Sequence, residues 1–430
     1  MFDKNIIYAV DLGSTHITLM AAEVDDDYVR VLAVEQSTVK KDCVHNGIVV
    51  NASDVAFQIG ELTKKMNNSL RLKKGKEISS MYVSVNAKTM KCIKHTVVRS
   101  FLNFTEITDQ LISDIEKECR QTLTQDQIEV YDIIPIDYQL DNTHSKTPPK
   151  RKGYNLQVTY NVVIGNHNIG KNILGIFERT PEITFKQYKP LSMETIAEAV
   201  LSPEDCNDGV ALINFGATTT TLALYIDGIL ETLMVVPLGS NNITKDMQSL
   251  GISESYAEKL KLRYGVAMET MVERIQKIAI PPAQPNSPDV LVLTSFLAEI
   301  VEARLNEIFA PIFEILKINK NKIGAGIVLT GGGSNLKGIV DYIQKKTDMY
   351  TVFGTHADKL AKHTDKKFEN PFYTQLIGMC LLIDSYRRKY PDNDIDVIIN
   401  WKEKLKQWRK KVEGKIIDFI PPLTETNNPL

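Results

Sequence analysis

The chain has few cysteines, and their spacing suggests neither disulfides nor zinc. Its five cysteines are scattered and none forms a CxxC pair, which argues against a disulfide framework and a zinc site. The seven histidines form no HExxH-type motif, so a metal centre built on histidine is not expected either. The cysteine usage therefore predicts a protein kept in a reducing compartment.

Long apolar runs and a strong excess of one charge are also missing. No segment approaches the ~18–20 apolar residues of a membrane-spanning helix, and the start, MFDKNIIYAV, is too acidic and too briefly apolar for a secretory signal. The net charge of -2 gives no global basic field, so no nucleic-acid partner is predicted. With 430 residues, 43% apolar and 24% charged, the chain is expected to form at least two soluble, cytoplasmic domains.

A pattern of short apolar strands occurs twice in the chain. Near the start, YAVDLGS, HITLMAAEV and VRVLAVEQ predict three strands with a glycine turn between the first two. In the second half, VALINFG, TTTLALYI and ILETLMVVPLG repeat that pattern. We therefore predict an internal duplication that gives two similar α/β units with a cleft between them. Residues 81–180, between the copies, show a β-α-β-β-α pattern, in which a strand begins at Met81 and a helix begins at Thr105.

Three glycine-containing turns, each at the end of an apolar strand, predict contacts with phosphate groups. Small residues let backbone N–H groups approach an anion, and hydroxyls add donors. Asp11, before the first turn, is predicted to hold Mg²⁺ through water; a plain β-hairpin is the alternative. The predicted nucleotide-binding residues of the three turns are Asp11, Gly13, Ser14, Thr15 and His16, then Asn214, Gly216, Ala217, Thr218 and Thr219, and finally Gly331, Gly332, Gly333 and Ser334.

A charged pair on a predicted helix is a further candidate for nucleotide binding. Glu258 and Lys261 lie three residues apart in AEKLKLRYG, on one face of the helix, where they would reach a purine and a ribose. Taken alone, a solvent-exposed ion pair explains the same spacing better.

A basic amphipathic pattern occupies the last part of the chain. After the acidic stretch DNDID, apolar residues recur at helical spacing among lysines, which suits a helix lying on an anionic membrane. A helix docked on the protein body, or a calmodulin-like target, is the alternative. The predicted membrane-contacting residues are Trp401, Leu405, Trp408, Lys411, Val412, Ile416 and Phe419.

The order of these features resembles the actin/Hsp70/sugar-kinase superfamily, and the inserted block resembles the FtsA family of bacterial actin-like cell-division proteins. The supporting stretches are YAVDLGSTHITLMAAEV, KPLSMETIAEAVL, VPLGSNNITKDM, AEKLKLRYG, VLTGGGSNLKGI and YTQLIGMCLL. The resemblance implies an α/β, two-lobed actin-like fold with an inserted domain 1C and a flexible C-terminal amphipathic helix. The implied domains are 1A at 1–80, 181–200 and 359–390, 1C at 81–180, 2A at 201–238 and 310–358, 2B at 239–309, and the linker with the membrane-targeting helix at 391–430.

The resemblance also implies a function. It implies ATP and Mg²⁺ in the central cleft, polymerisation with other copies of the chain, and anchoring of FtsZ, through its C-terminal peptide and domain 2B, to an anionic membrane. The protein would be peripheral, on the cytoplasmic face of the inner membrane at the division site, with later division proteins on domain 1C. The alternatives are an actin-like module of another envelope assembly, of the type IV pilus kind, and a metabolite kinase of the same superfamily.

Two positions depart from the superfamily pattern. Asn214 stands where the second turn usually has Asp, and Lys189 stands where the superfamily has a Gln or Glu that positions the attacking water. A charged lysine cannot accept a proton from water, although its cation can pair with phosphate. Lys189 is therefore predicted to contact nucleotide, and we expect ATP binding with weak or absent hydrolysis and assign no catalytic residue.

Overall fold

The fold is built from two large sheets with helices packed against them. The computed structural model describes residues 6–40, 43–72, 78, 80–125, 127–180, 183–185, 190–281 and 289–389. The strands are β1 (Ile6–Leu12), β2 (His16–Asp25), β3 (Tyr28–Thr38), β4 (Val44–His45), β5 (Ile48–Val49), β6 (Ser80–Val83), β7 (Lys91–Glu106), β8 (Ile128–Leu140), β9 (Thr143–Ser145), β10 (Lys152–Asn166), β11 (Thr184–Phe185), β12 (Val210–Phe215), β13 (Thr220–Ile226), β14 (Ile229–Val236), β15 (Lys277–Ile280), β16 (Val290–Leu293), β17 (Gly326–Thr330) and β18 (Thr351–Phe353). The α-helices are α1 (Ala52–Ser69), α2 (Asp109–Leu123), α3 (Asn168–Phe177), α4 (Ser192–Val200), α5 (Pro203–Asp208), α6 (Ser240–Gln248), α7 (Glu254–Tyr264), α8 (Thr294–Asn319), α9 (Ile339–Thr347) and α10 (Thr374–Lys389).

The two large sheets contain the same arrangement of strands. One has the order β11-β6-β1-β2-β3, and the other contains β18-β17-β12-β13-β14. In both, the central strand pairs antiparallel with the next strand of its meander and parallel with a later strand. The predicted internal duplication is therefore confirmed. We call the first sheet with the helices on it lobe one, and the second arrangement with its helices lobe two.

The segment after β6 differs from the prediction in two ways. The strand predicted at Met81 pairs with β1 and belongs to lobe one, whereas β7, a strand of 16 residues that the sequence analysis missed, pairs with β10. Strands β7, β10, β8 and β9 continue the lobe-two sheet beyond β14. Because β7 extends to Glu106, Thr105 lies within a strand, and the hydroxyl of Thr108 instead caps α2 by accepting a hydrogen bond from the Leu111 N–H.

Helix α8 crosses a predicted domain limit. It begins at Thr294, directly after β16, which pairs antiparallel with β15. It then continues to Asn319 without a break at 309/310, where the sequence analysis set the limit between domains 2B and 2A.

The predicted membrane-targeting helix lies outside the described residues. This applies to Trp401, Leu405, Trp408, Lys411, Val412, Ile416 and Phe419. Among the helices that the structure describes, none is long and apolar enough to cross a membrane.

Helix α10 packs closely against α4 and against the sheet of lobe one. A Cβ atom at Gly378 would lie 1.7 Å from the Thr195 carbonyl oxygen, so only glycine allows the two helices to approach this far. Leu376, Ile377 and Cys380 are completely buried around this contact. The packing fixes the start of α10, one turn before Gly378, at the edge of the cleft between the lobes.

Replacing Gly378 by Ala is expected to lower the free energy of unfolding by about 1–3 kcal/mol, because the added methyl group must push α10 away from α4. Gly60→Ala, within α1, is the matched control: a Cβ atom there meets nothing within 4 Å. It should raise the stability by up to about 1 kcal/mol, because alanine favours helix. Urea denaturation followed by circular dichroism measures both; equal stability of the two variants would contradict the close packing of α10.

Candidate functional site

The first two glycine turns meet across the cleft between the lobes. Turn one joins β1 to β2, turn two joins β12 to β13, and the Ser14 Oγ lies 2.7 Å from the Thr218 Oγ1. The Thr218 hydroxyl also accepts a hydrogen bond of 3.2 Å from the Asn46 N–H of lobe one. Thr15 and His16 complete turn one, with 3.1 Å between the Thr15 Oγ1 and the His16 Nδ1. The structure thus brings together the predicted residues of turns one and two.

Turn two is held by its own backbone and by the start of α6. The Gly216 N–H donates to the Thr219 carbonyl at 2.9 Å, and the Asn241 N–H donates to the Ala217 carbonyl at 2.8 Å. A Cβ atom at Gly239 would lie 2.6 Å from the Ala217 oxygen, so α6 approaches this closely only with glycine at its N-cap.

Turn three lies directly beside turn two. Strands β12 and β17 are parallel, with Asn214 opposite Thr330, so the two turns follow the carboxyl ends of neighbouring strands. Gly331 has a φ of 91°, and a Cβ atom there would lie 2.3 Å from the Asn214 Oδ1. A side chain at Gly331 is excluded on both counts. The Ser334 hydroxyl closes the turn with a 2.6 Å bond to the Gly331 carbonyl.

A cavity of about 380 Å³ joins turn three to helix α7. Gly332 and Gly333 line one side, and Glu258 and Lys261 line another. A wider cavity of about 680 Å³ lies at the start of α1, but none of the three turns contributes to it. The smaller cavity is therefore the one that unites predicted site residues.

In the pair Glu258 and Lys261, the lysine is a buried part of the pocket wall, while the Glu258 side chain stays 40% exposed. Lys261 is 7% exposed, and its Nζ lies 2.8 Å from the Glu258 Oε2 and donates to the Thr244 Oγ1 at 3.0 Å. Burial lowers the pKa of the Lys261 ammonium, and the Glu258 carboxylate opposes that shift. The pair is a fixed polar surface at the end of the cavity.

Asp11 meets a residue that the sequence analysis missed as a site residue. Its Oδ1 accepts a 2.8 Å hydrogen bond from the Gln375 Nε2, which also donates to the Ser84 Oγ at 2.9 Å. Burial raises the pKa of the Asp11 carboxyl to about 6, and the hydrogen bond from Gln375 opposes this. The only signal in the sequence was an amide at the start of an otherwise apolar stretch, TQLIGMCLLI.

A buried histidine, His356, bonds to Thr374, the residue that joins the start of α10 to turn three. The His356 Nε2 lies 2.6 Å from the Phe368 carbonyl, which can only accept, so this nitrogen carries the proton. The neutral ring then accepts at Nδ1 from the Thr374 hydroxyl, at 3.1 Å. Thr374 in turn accepts from the Thr330 hydroxyl at 3.2 Å. Sequence reasoning missed this chain of hydrogen bonds as well.

Two further predictions concern Lys189 and the metal. Lys189 lies outside the described residues, so its predicted contact with nucleotide stays a prediction. In the part of the chain that the structure describes, no three His, Cys, Asp or Glu side chains are grouped to hold a metal ion. Asp11 as a ligand of Mg²⁺ also stays a prediction.

Comparison of the chain with known proteins gives one consistent family. Residues 211–378 match the family model for the cell division protein FtsA. The chain is 25% identical to FtsA of Buchnera aphidicola subsp. Baizongia pistaciae and 22% identical to FtsA of Escherichia coli K12, in each case over 95% of this chain and 98% of the relative. FtsA of Borreliella burgdorferi is 27% identical over 80% of this chain and 82% of its own length.

Solved structures of actin-like proteins resemble the fold. The PilM-PilN type IV pilus biogenesis complex matches with a TM-score of 0.61 and 13% identity, over 87% of this chain and 98% of the other. MreB5 of Spiroplasma citri bound to ADP matches with a TM-score of 0.52 and 12% identity, over 91% of this chain and 99% of the other. The actin-like α/β fold expected from the sequence is confirmed.

The free energy of unfolding should fall as the pH drops below neutral, and His356 should cause part of this loss. Burial lowers the pKa of this side chain, an effect larger than the opposing influence of the hydrogen bond to the Phe368 carbonyl and of the charges of Asp358 and Glu369. Below about pH 6.5 the unfolded chain therefore binds a proton that the folded protein resists, so the free energy of unfolding falls as the pH drops toward about 5. His356→Gln should be less stable at neutral pH but should show a smaller loss on acidification.

His45→Gln removes an exposed histidine and is the control, expected to keep the full loss on acidification. Urea denaturation between about pH 5 and pH 8 compares the three proteins. An unchanged pH dependence in the His356→Gln variant would contradict the account.

Proposed function

This chain is a homologue of the FtsA cell-division proteins, and from that premise we propose that it is an ATP-binding, actin-like scaffold of bacterial cell division. The observation that carries the proposal is the convergence of the predicted elements on one cleft. Ser14 and Thr218 meet, Asn214 lies beside Gly331, and the third turn shares a cavity with Lys261.

The cleft offers separate surfaces for the two ends of a nucleotide. The cavity of about 380 Å³ lies within the ~300–1,000 Å³ range of small-molecule sites. Its glycine wall and its polar wall at Glu258 suit a flat base and a ribose. The hydroxyls of Ser14, Thr15, Thr218 and Thr219 suit the phosphates, which hydroxyl and backbone donors bind readily. MreB5 of Spiroplasma citri, one of the actin-like neighbours, has been solved with ADP and with AMPPNP, which supports a nucleotide here.

Hydrolysis is expected to be weak or absent. Mg²⁺ is the usual companion of ATP, and Asp11 is the carboxylate that the prediction assigns to it. The second turn has the neutral amide of Asn214 where the superfamily carries another acid. A phosphoryl-transfer site needs metal-binding acids and a group that positions the nucleophile. ATP is therefore proposed as a structural ligand that closes the cleft.

The scaffold is proposed to connect partners at the membrane. Domain 2B, residues 239–309, would bind the C-terminal peptide of FtsZ, and domain 1C, residues 81–180, would contact later division proteins. Copies of the chain would polymerise. The basic tail, residues 391–430, would hold the protein on the anionic cytoplasmic face of the inner membrane at the division site, as a peripheral protein.

Two other functions fit the fold less well. A metabolite kinase requires a base and metal-binding acids at both phosphate turns, which Asn214 does not provide. A module of a type IV pilus assembly would explain the likeness to the PilM-PilN complex, but at 13% identity that likeness concerns the fold alone. The sequence relatives of this chain named above are FtsA proteins. The division scaffold is therefore the better proposal.

Filling the cavity should weaken the binding of ATP. Gly332 lines it, and a Cβ atom there has only the Phe372 ring nearby, at 3.9 Å, so Gly332→Leu should leave turn three folded while its side chain enters the cavity. We expect ATP affinity to fall by about tenfold or more, or 1.4 kcal/mol. Isothermal titration calorimetry measures the affinity. Gly60→Leu, the same exchange at an open position of α1, is the control; equal affinity of the two variants would argue against this cavity.

A second prediction concerns binding of the protein to anionic membranes and to the FtsZ C-terminal peptide at the same time. The full chain should sediment with anionic liposomes and carry a labelled FtsZ C-terminal peptide with it. A chain that ends at Asn400 should still bind the peptide but stay in the supernatant, because the basic amphipathic segment is gone. Sedimentation of the shortened chain would refute the role of the tail. Failure of both chains to bind the peptide would refute the FtsZ partner and favour another envelope assembly.

A further inference from the structure

The ring of Phe372 lies close to both turn one and turn three. It meets the His16 ring edge to face, with 6.0 Å between the ring centroids and 85° between the planes. A Cβ atom built on Gly332 would lie 3.9 Å from the Cδ2 of the same Phe372 ring. His16 belongs to lobe one and Gly332 to lobe two, so this one side chain approaches a predicted nucleotide-binding residue of each lobe.

The backbone that carries Phe372 is fixed by its neighbours. Pro371–Tyr373 form a single short helical turn directly before α10. The Phe372 N–H donates to the Asn370 Oδ1 at 2.9 Å, and the Asn335 Nδ2, from the end of turn three, lies 3.5 Å from the same oxygen. The Tyr373 ring packs edge-on against Phe372, with the centroids 5.1 Å apart. Turn three and the start of α10 together set the position of the ring.

This position corresponds to the junction between the two halves of the proposed nucleotide. The base and ribose are assigned to the cavity that Gly332 lines, and the phosphates to the hydroxyls of turn one, to which His16 belongs. A phenyl ring has no hydrogen-bond donor or acceptor, so its use at such a junction is to cover a sugar and exclude water. The side chain of Phe372 is half-buried, which leaves apolar surface for a ligand to cover.

We infer that Phe372 covers bound ATP where its ribose meets its phosphates and thereby slows the release of the nucleotide. The inference rests on the proposed function, since it concerns the same ligand. The cover forms only once ATP lies between the turns, so it acts on the rate of dissociation. Contacts of this kind generally change dissociation rates more than association rates.

The test measures association and release of radiolabelled ATP by rapid filtration, with release followed after addition of excess unlabelled ATP. Phe372→Ala should release ATP about tenfold faster or more, with an association rate within about twofold of the unmodified chain. Phe372→Gln keeps side-chain length but loses the apolar ring, and should behave in the same way. Phe372→Leu restores an apolar cover, so its release rate should stay within about threefold of the unmodified chain.

Phe57→Ala is the matched control for the loss of a ring. Phe57 is 65% exposed on α1, with the Lys40 Nζ 5.9 Å from its ring centroid. Its removal should leave both rates unchanged. Urea denaturation of each variant shows whether the fold is retained.

A double-mutant cycle with His16 tests whether the ring acts together with turn one. In a chain that already carries His16→Ala, Phe372→Ala should accelerate release by a smaller factor, because the ring has lost its contact in lobe one. An equal factor in both backgrounds would overturn the joint role of the two rings.

The remaining outcomes separate the inference from the proposed function. Release at the unmodified rate from the Phe372→Ala and Phe372→Gln variants would overturn the inference and leave the nucleotide site intact. Slower association with unchanged release would overturn it as well. Failure of the unmodified chain to bind ATP would overturn the proposed function, and the inference with it.

Discussion

The first turn of α10 contacts both halves of the cleft. Thr374 accepts a hydrogen bond from Thr330, at the start of turn three in lobe two, and Gln375 donates to Asp11, at the start of turn one in lobe one. The helix itself is packed tightly into lobe one where Gly378 meets α4. Its start is therefore a fixed point from which turn three is placed, and these two neighbouring residues add to the contact between Ser14 and Thr218 across the cleft.

The chemistry of the cleft is mostly that of neutral donors. Hydroxyls meet at Ser14 and Thr218, and amides occupy the positions of Asn214 and Gln375. The buried cation Lys261 has Glu258 as its partner. Such groups can donate hydrogen bonds to an anion. They agree with the proposed role of the cleft in holding the phosphates of a nucleotide.

Local sequence patterns predicted the duplication and the three turns, because each of these features depends on residues that lie close together in the sequence. The strand β7 was missed, because Leu102 and Phe104 lie exposed among polar residues and blur the alternation that identifies a half-buried strand. Gln375 was missed for another reason. It contacts Asp11 across 364 positions of sequence, and no periodicity connects residues so far apart. The same holds for His356, whose role depends on packing that brings Thr374 and Phe368 to its two nitrogens.

The central claim is that the three turns and α7 form one nucleotide site. A crystal structure of the protein grown with a non-hydrolysable ATP analogue tests it most directly. The account predicts the base and ribose in the cavity between Lys261 and Gly332, with the phosphates between Ser14 and Thr218 and with Gln375 still bonded to Asp11. A nucleotide bound elsewhere, or a cleft that stays empty at saturating analogue, would contradict it.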